Sequence, residues 1–147
     1  LASDTPEIPS PSNYQPKQAL TRLWQVQEVE HNLNQPTHQL VDARSAERFR
    51  GEQEPIDPVS GHIPSAICLP STDNLAPSGL FKTPEDLRER FADISSTNTV
   101  CYCGSGVTAT HNILAIRLAG MAEPVLYADS WSGWITDSDR PIATENT

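Results

Sequence analysis

The stretch Val100-Cys101-Tyr102-Cys103-Gly104-Ser105-Gly106-Val107-Thr108-Ala109 admits few folds. An apolar run stops at a cysteine, a short glycine-bearing turn follows, and a helix opens at Val107. Two glycines let the turn curl tightly with its N–H groups pointing inward. The N-terminus of the next helix adds its own free N–H groups and the positive end of its dipole. A cysteine at the mouth of such a cradle is favoured as a thiolate, and hence as a nucleophile.

Strands and helices alternate through the rest of the chain. Five segments read as strands: 19–24, 39–43, 66–69, 99–102 and 124–127. Helices are expected over 25–33, 45–50, 83–91, 107–119 and 130–135, with Ser45 and Thr83 as N-caps, Pro84 at the first helical position and Gly120 as a C-cap. The polar, proline-bearing stretch 52–60 is expected to be a loop. This order predicts an α/β fold, with a mostly parallel five-stranded sheet covered by helices on both faces. In open α/β sheets ligands sit beyond the carboxyl ends of the strands. Asp42, Cys103 and Asp129 fall at three such ends.

The chain has 147 residues, enough for one domain with a proper core. A net charge of −9 argues against nucleic acid and anionic membrane surfaces as partners. No apolar run approaches a membrane span in length. Residues 1–16 carry four prolines and no hydrophobic period, which describes an extended linker before a domain over 17–147. With no initiator Met and no signal-peptide pattern, the chain reads as a piece of a longer protein. Cys68, Cys101 and Cys103 are an odd number with no disulfide framework, which predicts a reducing, cytoplasmic setting. No histidine–cysteine spacing suggests a metal site, and no cofactor is expected.

Cys103-Gly104-Ser105-Gly106-Val107-Thr108 resembles the active-site loop of the rhodanese-type sulfurtransferases, particularly the catalytic half of the two-domain thiosulfate and 3-mercaptopyruvate enzymes. Four further segments match in order: Leu40-Val41-Asp42-Ala43-Arg44, Arg48-Phe49-Arg50-Gly51, Gly61-His62-Ile63-Pro64-Ser65-Ala66, and Asp129-Ser130-Trp131-Ser132-Gly133-Trp134. The resemblance covers roughly 20–143. It implies a three-layer rhodanese-like fold, a small anionic sulfur donor, a thiol or cyanide acceptor, and an N-terminal rhodanese-like domain in the parent chain. Without that domain, Cys103 is expected to be more exposed and its donor pocket half-built.

Cys103 is the expected nucleophile. The amides of Gly104, Ser105, Gly106, Val107 and Thr108 would hold the charged sulfur of a persulfide. The resemblance assigns Ser105 a place beside the nucleophile, against a plain capping role. Thr108 either reaches toward the sulfur or caps the helix. By the same resemblance Arg48 meets the anionic end of the donor, since a guanidinium fork suits sulfonate or carboxylate oxygens. Arg50 lies on a different face. Asp42 and Arg44 are expected to tie the loop together, with Asp42 bordering the pocket. Trp131 and Trp134 pack the last helix, and Trp131 is also a candidate pocket wall. Cys101 and Cys68 read as packed thiols, His62 as a turn histidine, and His111 as packing or surface.

The donor stays open between thiosulfate and 3-mercaptopyruvate. Animal thiosulfate enzymes carry Arg and Lys where this chain has Gly104 and Ser105. The mercaptopyruvate type carries a second arginine where this chain has Glu54-Pro55-Ile56-Asp57. Two alternatives remain: a non-catalytic rhodanese-like interaction module, which typically lacks the cysteine, and a cysteine phosphatase or arsenate reductase. The latter clamps its anion with an arginine closing the loop, but here that position holds Thr108 and the next arginine is Arg117.

Overall fold

A computed structural model of the chain describes residues 12–15, 17 and 19–145. Most of the expected linker over 1–16 lies outside them. Five strands, β1 (Leu23–Trp24), β2 (Gln39–Asp42), β3 (Ile67–Cys68), β4 (Thr99–Tyr102) and β5 (Val125–Tyr127), form one sheet in the order β1-β5-β4-β2-β3. Every pairing is parallel. Five helices connect them: α1 (Val26–Asn34), α2 (Ala46–Phe49), α3 (Pro84–Arg90), α4 (Val107–Leu118) and α5 (Ser130–Trp134).

β4 lies at the centre, and all four of its residues are buried. A parallel strand covered on both faces needs a continuous apolar run rather than alternation, and Thr99-Val100-Cys101-Tyr102 supplies it. On one face Leu40, Val100, Tyr102 and Tyr127 pack with Val29, Phe49, Trp131 and Trp134, residues of α1, α2 and α5. On the other, Val41, Cys101 and Cys103 join Leu87, Ala109, Ile113 and Ile116 from α3 and α4. The buried positions of α4 (Ala109, Asn112, Ile113, Ala115, Ile116) fall on a helical stripe. α3 starts as the sequence implies, with Thr83 Oγ1 accepting from the Asp86 N–H at 3.2 Å and Pro84 in its first turn.

The expected first strand over 19–24 shrinks to two residues, because β1 is an edge paired only with the short β5, through Leu23–Leu126 and Trp24–Tyr127. Ser45 occupies the N-cap of α2 but makes no side-chain capping bond. The C-cap of α4 is Ala119, and Gly120 follows it at φ +74°, the left-handed turn that ends a helix. Two 3₁₀ turns, Ser71–Asn74 and Ser96–Asn98, fall in segments to which the sequence reading assigned no element. The first is held by side chains: Asn74 donates to Asn112 Oδ1 at 2.7 Å and accepts from Arg90 Nε at 2.9 Å.

Candidate active site

β4 delivers Cys103 one residue past its end, and the turn through Gly106 carries the chain into α4. Gly106 sits at φ +85°. A Cβ built there would stand 2.3 Å from the carbonyl oxygen of Ala128, so no side chain fits. Gly104 is different: it does not share the left-handed backbone of Gly106, and a Cβ on it would stand 3.6 Å from Arg48 Nη1 and Nη2. That proximity brings Arg48, on α2, against the cysteine loop.

The loop is pinned from behind by α5. Trp131 N–H donates to the Cys103 carbonyl at 3.0 Å, and Ser132 N–H donates to the Gly104 carbonyl at 2.9 Å. The Cys103 N–H itself donates to Ser130 Oγ at 3.1 Å, and that hydroxyl donates on to the Tyr127 carbonyl at 3.0 Å. Ser130 makes these bonds from a left-handed backbone, φ +54°, which is uncommon for a residue with a side chain. Among the described residues, the N–H groups of Gly104, Ser105, Gly106, Val107 and Thr108 donate to no protein acceptor. Unspent amides curled beside a thiol are what an anion-holding nest requires.

The expectation of an exposed nucleophile is corrected. Cys103 is 1% exposed and sits in the cluster with Val41, Ala43 and Ala109. β4 carries the residue under the first turn of α4, and this domain alone supplies the cover. Ser105 and Thr108 are exposed, and among the described hydrogen bonds neither hydroxyl engages Cys103 or caps α4. Cys101 is fully buried, and burial pushes its thiol up to about 12. The half-buried Cys68 is likewise pushed up to about 12, first by desolvation and then by the Asp42 charge. Both stay protonated at neutral pH.

Behind Arg48 stands a network of charges that sequence reading did not assemble. Asp42, at the end of β2, is fully buried and accepts from Arg44 Nε at 3.0 Å and Nη2 at 2.7 Å. Arg44 also donates to the Gly61 carbonyl at 2.6 Å and lies 4.9 Å over the Trp131 ring. Its Nη1 reaches Glu54 Oε2 at 3.2 Å. Glu54 in turn accepts from Arg48 Nε at 3.1 Å and Nη2 at 2.7 Å, and from the Asp57 and Ile56 N–H groups. Asp42 therefore touches the site through Arg44 and Glu54. Trp131 is fully buried beneath them, with its indole N–H donating to the Val59 carbonyl at 2.9 Å. Arg50 turns away to Glu52, as its neighbouring position implies. His62 is buried, stacked on Phe49, with Nδ1 at 2.7 Å from the Phe49 carbonyl. His111 stacks on Phe81.

Desolvation alone would raise the pKa of Glu54. The bonds from Arg48 and from the Asp57 and Ile56 amides outweigh it and hold this carboxyl below its ordinary value. A depressed carboxyl contributes stability that is present above its unfolded pKa, about 4.3, and is lost as pH falls through the folded value. Wild type is therefore expected to melt above Glu54→Gln at pH 7, with the gap closing below about pH 4. Thermal melts across that range check this; a gap that persists unchanged to pH 3 contradicts it.

The family model described as a rhodanese-like domain matches residues 25–137. A probable 3-mercaptopyruvate sulfurtransferase of Pseudomonas aeruginosa is 49% identical over 91% of this chain and 49% of its own length. The human 3-mercaptopyruvate sulfurtransferase is 37% identical over 86% of this chain and 44% of its own. The mouse thiosulfate sulfurtransferase is 36% identical over 88% and 46% respectively. Among solved structures, the Tum1 protein of Saccharomyces cerevisiae superposes with a TM-score of 0.75 at 26% identity, covering 86% of this chain and 47% of that one. The chain thus spans about half the length of the curated relatives it matches.

Proposed function

The chain belongs to the rhodanese-like domain family, and on that footing we propose that it is a sulfurtransferase working through a persulfide on Cys103. The observation that carries this reading is the nucleophile's setting. Cys103 directly follows the central strand, beside five amides with no protein acceptor among the described residues, while the carbonyls of Cys103 and Gly104 are tied to α5.

The thiolate of Cys103 attacks the outer sulfur of thiosulfate or the sulfur of 3-mercaptopyruvate. A new S–S bond forms as the donor's S–S or C–S bond breaks. Sulfite, or the enolate of pyruvate, leaves with the electron pair, and the enolate then takes up a proton. The amides of Gly104, Ser105, Gly106, Val107 and Thr108 stabilise the negative sulfur. Arg48 receives the anionic end of the donor, held in place by Glu54, which is in turn tied through Arg44 to Asp42 and Trp131. A cyanide or thiol acceptor then attacks the outer sulfur of the persulfide and releases the Cys103 thiolate. Cys103 is buried, which suits a small donor.

The curated relatives are about twice as long, which supports a second, N-terminal rhodanese-like domain as the partner of a catalytic domain over 17–147. No helix of the described residues is long and apolar enough to cross a membrane. The three free cysteines favour a reducing, cytoplasmic location.

A covalent intermediate requires ping-pong kinetics. With donor and cyanide varied together, double-reciprocal plots are expected to be parallel. Lines that intersect would mean that donor and acceptor bind together and would contradict the persulfide route.

A further inference from the structure

Two carboxylates already occupy the arginine that faces the loop. Glu54 takes Nε and Nη2 of Arg48, and Asp57 Oδ2 lies 3.1 Å from the same Nη2. Nη1 has no partner among the described residues and lies 3.6 Å from the point where a Cβ on Gly104 would stand. Asp57 Oδ2 lies 3.9 Å from that same point. The other oxygen of Asp57 accepts from Ser132 Oγ at 2.7 Å, and Ser132 holds the Gly104 carbonyl through its own N–H. Asp57 is thus bonded both to Arg48 and to the segment that pins the cysteine loop.

The charges of this network do not cancel. Arg44 and Arg48 are two cations against the three anions Asp42, Glu54 and Asp57, which leaves one net negative charge in the network that meets the cysteine loop at Gly104. A donor approaching here finds one open guanidinium nitrogen and a carboxylate next to it. Repulsion from that carboxylate grows with the donor's charge, so a dianion meets twice the penalty of a monoanion at the same distance.

We propose that Asp57 is a specificity-determining residue that turns the donor site away from dianionic thiosulfate and toward monoanionic, carboxylate-bearing thiols of the 3-mercaptopyruvate class. The proposal rests on the sulfurtransferase reading above and on the placement of Arg48 against the loop. A single carboxylate fits the open Nη1 of Arg48; a second negative charge is left facing Asp57.

The test measures the rate of persulfide formation on Cys103 with thiosulfate and with 3-mercaptopyruvate, in wild type and in Asp57→Asn. The asparagine keeps an oxygen to accept from Ser132, so the pin on the loop survives. Removing one charge within a few ångströms, at a partly wetted site, is expected to raise the thiosulfate-to-mercaptopyruvate rate ratio about fivefold. Asp57→Ser covers the case in which Asp57→Asn does not fold. It removes the same charge with a smaller side chain that keeps a hydroxyl, and it is expected to move the ratio the same way. A ratio that is unchanged or lower, with Cys103 still taking sulfur, overturns the role of Asp57 and leaves the sulfurtransferase reading standing. A wild-type protein that takes no sulfur from either donor overturns both.

Discussion

Cys103→Ser is expected to remove sulfur transfer while leaving the fold intact. A hydroxyl at neutral pH is a far weaker nucleophile than a thiolate, and no other thiol is placed to replace it. Cys68 and Cys101 are held protonated by desolvation, each pushed up to about 12. Loss of the attacking group is expected to cost about 10⁴-fold or more in turnover. Serine differs from cysteine by one atom, and the backbone bonds at this residue, from Trp131 and to Ser130, do not involve the side chain. The melting temperature is therefore expected to stay within a few degrees of wild type, on the order of 1 kcal/mol or less. Cys101→Ser is the matched control. It places a hydroxyl in the cluster around Ile113 and Ile116, at a cost of about 1–3 kcal/mol of stability, but is expected to keep most of the activity. Steady-state assays and thermal melts of the two variants check the pair, and reversed phenotypes would mean that the wrong cysteine has been assigned.

Gly106→Ala is expected to damage both stability and activity. The residue holds φ +85°, where an alanine costs about 1 kcal/mol before any contact is considered. Its Cβ would then stand 2.3 Å from the Ala128 carbonyl oxygen and 3.1 Å from its carbon, both backbone atoms that cannot rotate away. Together these effects are expected to cost about 3 kcal/mol or more, or roughly 10 °C in melting temperature for a domain of this size. Relief by moving the turn would shift the amides of Ser105 to Thr108 away from Cys103, so activity is expected to fall further than the lost stability explains. Gly104→Ala is the contrast. Its added methyl meets Arg48 at an ordinary 3.6 Å, and the fold is expected to tolerate it. Equal melting temperatures for Gly106→Ala and wild type would contradict the packing described at this turn.

The elements that carry the loop were legible in the sequence because they obey local rules. β4 is an unbroken apolar run that ends where glycine begins, and α4 has its stripe at Ala109, Asn112, Ile113 and Ile116. β1 was overextended because nothing in Ala19 to Arg22 reports that its partner strand has only three residues. The carboxylates around Arg48 were illegible for a different reason. Glu54 and Asp57 read as ordinary acids of a polar loop, and only the folded chain brings them to α2. The one hint was Arg48 on a four-residue helix with Arg50 at its C-cap, two charges that needed partners. Ser130 does start a helix, as the sequence implies, but nothing local reports that its hydroxyl also accepts from the Cys103 amide, from a left-handed backbone. The burial of Cys103 could not be read from the loop either, since its cover comes from β2 and α4 together.

The central claim is that Cys103 carries the sulfur, and mass spectrometry addresses it directly. The protein is incubated with thiosulfate or 3-mercaptopyruvate, freed of excess donor, and measured intact and after digestion under non-reducing conditions. The expected result is a gain of one sulfur atom, located on the peptide containing Cys103, removed by cyanide and absent in Cys103→Ser. A protein whose mass is unchanged with both donors, or whose added sulfur lies on Cys68 or Cys101, would contradict the account.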